Sequence, residues 1–151
     1  MVIAVDFDGT IVEHLYPRIG NPVPYAIDVL KRLQQEENHT LILWTMREGK
    51  YLQEALDYCK KQGLTFYAAN KNNPDEEDGE SPRKLSADIF IDDKNIGGLP
   101  DWGIIYRMIK SGLTDVNDID NEYIIEKKSR KKKNFFIRLG EAWEMSRGKR
   151  Y

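Results

Sequence analysis

The stretch that decides the fold is VIAVDFDGT, residues 2–10. VIAVD at 2–6 is an apolar run ending in an acid, without the alternation of a half-exposed strand. A strand of this kind is covered on both faces, as in a parallel sheet. Gly9 then allows the chain to turn sharply. Working outward, TLILWT at 40–45, LTFYAA at 64–69 and ADIFI at 87–91 read as three further strands, the last running into Asp92-Asp93. Between them, residues 25–37 set Ile27, Leu30 and Leu33 at helical spacing, and residues 48–62 put Tyr51, Leu52, Ala55, Leu56 and Cys59 on one helical face. Gly63 stops that second helix, and Gly112 caps a third over 101–111. Residues 11–24, with Pro17, Pro22, Pro24 and Gly20, read as a loop, as does the acidic stretch 70–82. Strands alternating with helices predict an α/β fold, a doubly wound parallel sheet with right-handed crossovers.

Composition limits the function classes. The chain has 151 residues, enough for one domain with an appendage, and 40% of them are hydrophobic, enough for a core. No apolar run approaches the roughly 20 residues that span a bilayer. The first residues carry acids where a signal peptide needs a basic region, so a cytoplasmic protein is expected. The single cysteine, Cys59, excludes an internal disulfide and a cysteine-built zinc site, and two histidines (His14, His39) are too few for a histidine-rich centre. Any metal is then a hard ion held by oxygen.

Four acids are placed for such an ion. Asp6 and Asp8 end the first strand, and Asp92 and Asp93 end the fourth. Ligands of a doubly wound sheet sit beyond the carboxyl ends of the strands, where strand order reverses. Carboxylates crowded there repel, and a cation relieves them; carboxylate oxygens select Mg²⁺. In an extended chain Asp6 and Asp8 face the same side, so one can attack while the other donates a proton. Gly9 lets backbone N–H groups approach an anion. Thr45 ends the second strand ahead of a helix and either binds phosphate or caps that helix. Arg47 is a candidate for bidentate phosphate contact, or else a partner of Glu48. Lys84, or its neighbour Arg83, supplies positive charge before the fourth strand.

DFDGT at 6–10, an apolar strand ending in Thr45, Lys84, and IFIDD at 89–93 resemble, in order and spacing over residues 1–110, the four motifs of the haloacid dehalogenase superfamily of phosphohydrolases. The resemblance implies a Rossmann-like fold and a Mg²⁺-dependent phosphatase. In it Asp6 is the nucleophile that forms an aspartyl-phosphate, and Asp8 is the general acid and base. Mg²⁺ is held by Asp6, the backbone carbonyl of Asp8, Asp92 and Asp93. Thr45 and Lys84 hold the phosphoryl oxygens. Transfer of the phosphoryl group to an acceptor other than water remains open.

Relatives with a cap domain insert it after the first or the third strand. Here those gaps span about 15 and about 17 residues, too short for a domain, so no cap is expected and the substrate is a phosphomonoester that is large or exposed. The expected division is a catalytic domain at 1–114 and a basic helical extension at 115–151. Residues 127–151 hold ten Lys/Arg against two acids, leaving 13 basic and 23 acidic side chains in the rest. Phe135, Phe136, Leu139, Ala142 and Trp143 make one face of a helix over 121–147. Such a segment suits nucleic acid, an anionic membrane surface or a second subunit, or else it packs on the acidic body or is a disordered tail with no partner. The alternative function is a non-catalytic nucleic-acid-binding module that uses this tail.

Overall fold

The structure is a computed structural model that describes residues 1–77 and 84–112. The chain divides into two compact units, Met1–Tyr106 and Arg107–Tyr151, and the account below concerns the first. The expected basic extension at 115–151 and the candidate Arg83 lie outside the described residues.

Four parallel strands form one sheet in the order β3-β2-β1-β4. β1 (Val2–Val5) is interior and pairs with β2 (Thr40–Leu43) on one side and β4 (Ile89–Ile91) on the other. In register, Val5 lies opposite both Leu43 and Ile91. β3 (Ala68–Ala69) pairs with β2. Ile3, Ala4 and Val5 are all buried, so both faces of β1 are covered, as the unbroken apolar run requires. Ala4, Ile42, Ala68 and Leu85 pack together on one face, flanked by Trp44 and Phe90.

The helices are α1 (Ala26–Gln35), α2 (Gly49–Lys61) and α3 (Trp102–Ser111). Among the described residues each strand and helix expected between residues 2 and 111 is present, with shorter ends, and the helix expected over 121–147 lies outside them. The largest difference is β3, which is two residues long rather than six. The chain meets the sheet edge only at Tyr67, whose N–H donates to the Leu41 carbonyl at 2.8 Å. On α1 the buried stripe is Ala26, Val29, Leu30 and Leu33, with Ile27 at its edge; the small Ala26 rather than Ile27 lies at the centre of the face. Cys59 on α2 is buried, and burial pushes its thiol up to about 12, so it acts as a small apolar side chain.

The topology fixes where a ligand can sit. After β1 the chain moves outward through β2 to β3, then returns to the opposite side of β1 as β4. The strand order therefore reverses between β1 and β4, and the crevice beyond their carboxyl ends is the expected ligand position. Ile42→Ala removes a fully buried side chain from this sheet. It should cost about 2–5 kcal/mol in urea unfolding with an unchanged m-value.

Candidate functional site

Asp6 directly follows β1, and its N–H donates to the Ile91 carbonyl at 2.9 Å, carrying the β1–β4 pairing one residue further. Asp92 and Asp93 directly follow β4. Strand pairing thus delivers three carboxylates to one place: one oxygen from each of Asp6, Asp92 and Asp93 lies within 4.8 Å of the others. Thr10, fully buried, ties the two strand ends together. Its hydroxyl donates to Asp6 Oδ2 at 3.3 Å and accepts the Asp93 N–H at 3.0 Å. The indole N–H of the buried Trp102 donates to the Thr10 carbonyl at 3.2 Å and fixes Thr10 in turn. Gly9 turns the chain with φ +92°, and a Cβ there would fall 2.5 Å from Asp93 Oδ2. Only glycine meets both conditions.

The cluster is under-compensated. Lys94 reaches it from the surface, 2.7 Å from Asp93 Oδ2, but its side chain is 73% exposed. Its N–H donates to Asp92 Oδ1 at 2.7 Å. Among the described residues, Asp93 Oδ1 is buried with no hydrogen-bond partner. Burial pushes the Asp6 carboxyl up to about 6, and the charges of Asp92 and Asp93 add to that shift against the hydrogen bonds from Phe7 and Thr10. Three crowded carboxylates with one unpartnered buried oxygen are a donor set that could hold a cation. All-carboxylate donors suit a small, hard divalent ion such as Mg²⁺.

Asp8 goes elsewhere. The alternation expected of an extended chain ends with β1, because residues 7–12 curl into a turn in which the Phe7 carbonyl accepts the N–H groups of Ile11 and Val12. Asp8 meets Arg47, which is fully buried. Arg47 Nε donates to Asp8 Oδ2 at 2.6 Å and Nη2 to Asp8 Oδ1 at 2.7 Å, a bidentate pair. Nη1 and Nη2 also donate to the carbonyls of Pro17 and Arg18, at 3.0 and 2.9 Å. Arg47 is thus committed to Asp8, not Glu48, and its guanidinium is not open to solvent.

Thr45 is not the cap of α2, which starts at Gly49 after Glu48. Its hydroxyl accepts the Arg47 N–H at 3.2 Å, which leaves its own O–H free to donate. The Thr45 N–H donates to Asn70 Oδ1 at 2.9 Å, and Asn70 Nδ2 donates to the Arg47 carbonyl at 3.2 Å. Asn70 stands just past β3 with φ +55°, a conformation asparagine tolerates. Lys84 has its ammonium 5.9 Å from the centre of the Phe90 ring, beside the sheet, so Lys94 is the lysine seen at the carboxylates. Of the residues singled out from sequence, Asp6, Gly9, Asp92 and Asp93 come together around one point, while Asp8, Arg47 and Thr45 form an adjoining group. Sequence reasoning missed three residues. Thr10 has no role of its own in the DFDGT pattern, Asn70 lies in the polar stretch 70–82, and Lys94 carries no signal beyond following two acids.

No family model and no curated protein matches the chain. It is similar to a solved structure, a conserved protein of Bacteroides thetaiotaomicron, at 63% sequence identity and a TM-score of 0.71. The match covers 76% of this chain and 93% of that one. The chain belongs to the family of that protein. The name of this relative states no activity, so function in this family has to be read from the geometry of the site.

Two outcomes follow from the carboxylate cluster. Because the Asp6 carboxyl sits near 6 when folded and near 3.8 when unfolded, the folded state holds a proton that the unfolded chain has released between those values. That stability is present below about pH 4 and lost as pH rises through about 6. The melting temperature of metal-free protein should therefore fall relative to Asp6→Asn between pH 4 and 7, and Mg²⁺ should remove the difference in slope; parallel curves would contradict it. Gly9→Ala should cost about 1–3 kcal/mol in backbone strain alone and abolish Mg²⁺ binding by calorimetry, since Asp93 must move.

Proposed function

We propose that this chain is a Mg²⁺-dependent phosphatase of the haloacid dehalogenase type, acting on a phosphomonoester through an aspartyl-phosphate on Asp6. The observation that carries the reading is the meeting of Asp6, Asp92 and Asp93 at the strand-order reversal, with a buried, unpartnered oxygen on Asp93. Mg²⁺ would be held by these three carboxylates and the backbone carbonyl of Asp8. When bound, it offsets the repulsion between an anionic nucleophile and an anionic substrate. Asp6 then attacks phosphorus; the Asp6 oxygen–phosphorus bond forms as the phosphorus–alkoxide bond breaks. Asp8 gives its proton to the departing oxygen and later takes one from the water that cleaves the phosphoaspartate. The free O–H of Thr45 is directed to a phosphoryl oxygen. Lys94 is at hand as a surface cation, whereas Lys84 would have to leave the Phe90 ring to serve.

The finer fold reading follows the same line: a doubly wound, Rossmann-like catalytic domain at 1–114 without a cap, and a basic helical extension at 115–151. An open site suits a phosphate carried on a large or exposed substrate. Among the described residues no helix is long and apolar enough to cross a membrane. The nucleic-acid-binding alternative draws only on residues 127–151 and gives the Asp8–Arg47 pair nothing to do. The test is phosphate release from a panel of phosphomonoesters. Wild-type protein with Mg²⁺ should turn over; Asp6→Asn should lose on the order of 10³-fold or more. Chelation should stop the wild type reversibly. A folded wild type that hydrolyses nothing across the panel would overturn the reading.

A further inference from the structure

We infer that Arg47 is the positioning residue of Asp8, and that Asn70 holds Arg47 in place to do it. The inference rests on the phosphatase reading above and gives Arg47 a positioning role in place of the phosphate contact expected from the sequence, with Asn70 added to it.

Arg47 is enclosed on every side. Its charge faces the rings of Phe7 and Tyr16, with ring centres 5.0 and 5.3 Å from the guanidinium carbon. Four of its five N–H donors go to Asp8 and to the carbonyls of Pro17 and Arg18. A guanidinium with no exposure reaches a substrate only by abandoning these bonds. It therefore acts through Asp8, whose side chain keeps 11% exposure. Each carboxylate oxygen has two lone pairs. One on each Asp8 oxygen goes to Arg47, and another remains to carry the proton that the leaving oxygen needs. The fork fixes the plane of the carboxylate and so the direction of that lone pair. A lysine is a point charge and cannot grip both oxygens and two carbonyls at once.

The backbone of Arg47 is fixed independently. Its N–H goes to the Thr45 hydroxyl, and its carbonyl accepts from Asn70 Nδ2. Asn70 also takes the Thr45 N–H, so one side chain from the end of β3 pins both ends of the 45–47 turn. The end of β3 is thereby linked to the acid beyond β1 through Asn70, Arg47 and Asp8. The carbonyls of Pro17 and Arg18 attach the loop after β1 to the same point.

The readout is dependence on the leaving group, because proton donation matters most when the departing oxygen is a poor one. Steady-state kinetics with Mg²⁺ would compare p-nitrophenyl phosphate with an alkyl phosphate, glycerol 2-phosphate, in Asp8→Asn, Arg47→Met, Arg47→Lys, Asn70→Gly and the double variant Asp8→Asn/Arg47→Met. General acid–base catalysis contributes about 10²–10⁴-fold. Arg47→Met and Arg47→Lys should thus lose about 10²-fold or more in kcat on the alkyl ester, less than about 10-fold on the aryl ester, with KM little changed. Asn70→Gly keeps the backbone conformation and should show the same pattern at smaller size. The double variant should be no slower than Asp8→Asn alone. If Arg47→Met does not fold, Arg47→Lys and Asn70→Gly give the answer. Equal losses on both esters with a raised KM, or losses that multiply with Asp8→Asn, would overturn the inference while leaving the phosphatase reading intact. A folded wild type that hydrolyses neither ester would bring down that reading and this inference with it.

Discussion

Parallel pairing of β1 with β4 forces like charges together. Two carboxylates about 5 Å apart repel by roughly 3–4 kcal/mol at the effective dielectric of a protein surface. The sheet holds three there because Val5 and Ile91 are in register and the next residue on each strand is an aspartate. Thr10 braces the two strand ends, and Gly9 gives Asp93 the space it occupies. Such an arrangement stores unfavourable energy in the absence of a counter-ion. A fold that needed only stability would place other residues at these three positions.

The second group of polar residues is built on the opposite principle. Arg47 is fully buried and Asp8 nearly so, and the two are matched donor to acceptor. Removing one partner of such a pair costs about 3–5 kcal/mol, because the other charge is left stranded. The two aspartates of DFDGT, two residues apart, therefore sit in contrasting environments. Asp6 stands among other acids, and Asp8 is gripped by an arginine.

The sheet was legible because residues 2–6, 40–45 and 87–91 are short apolar runs bounded by turn residues, and in β1 and β2 the run is buried on both faces. The acids at their ends were legible for the same reason, since a strand-end position follows from the strand. β3 was not, because its length depends on where the chain meets the neighbouring strand rather than on its own residues. Arg47 was ambiguous for a similar reason. Its partner lies 39 positions away in sequence, and nothing nearby marks it as buried. Asn70 was hidden in a polar stretch, where one asparagine looks like the next until the backbone gives it one donor and one acceptor to satisfy. The lysine nearest the carboxylates, Lys94, followed from the turn after β4 and not from any motif.

The most direct measurement is a crystal structure with Mg²⁺ and beryllium trifluoride, a mimic of a phosphoryl group on a carboxylate. The account predicts beryllium bonded to an oxygen of Asp6, with one Mg²⁺ at about 2.0–2.1 Å from oxygens of Asp6 and Asp92 and from the Asp8 carbonyl. Asp93 would stand beside it, directly or through water. Beryllium on another side chain, or Mg²⁺ bound away from these aspartates, would contradict it.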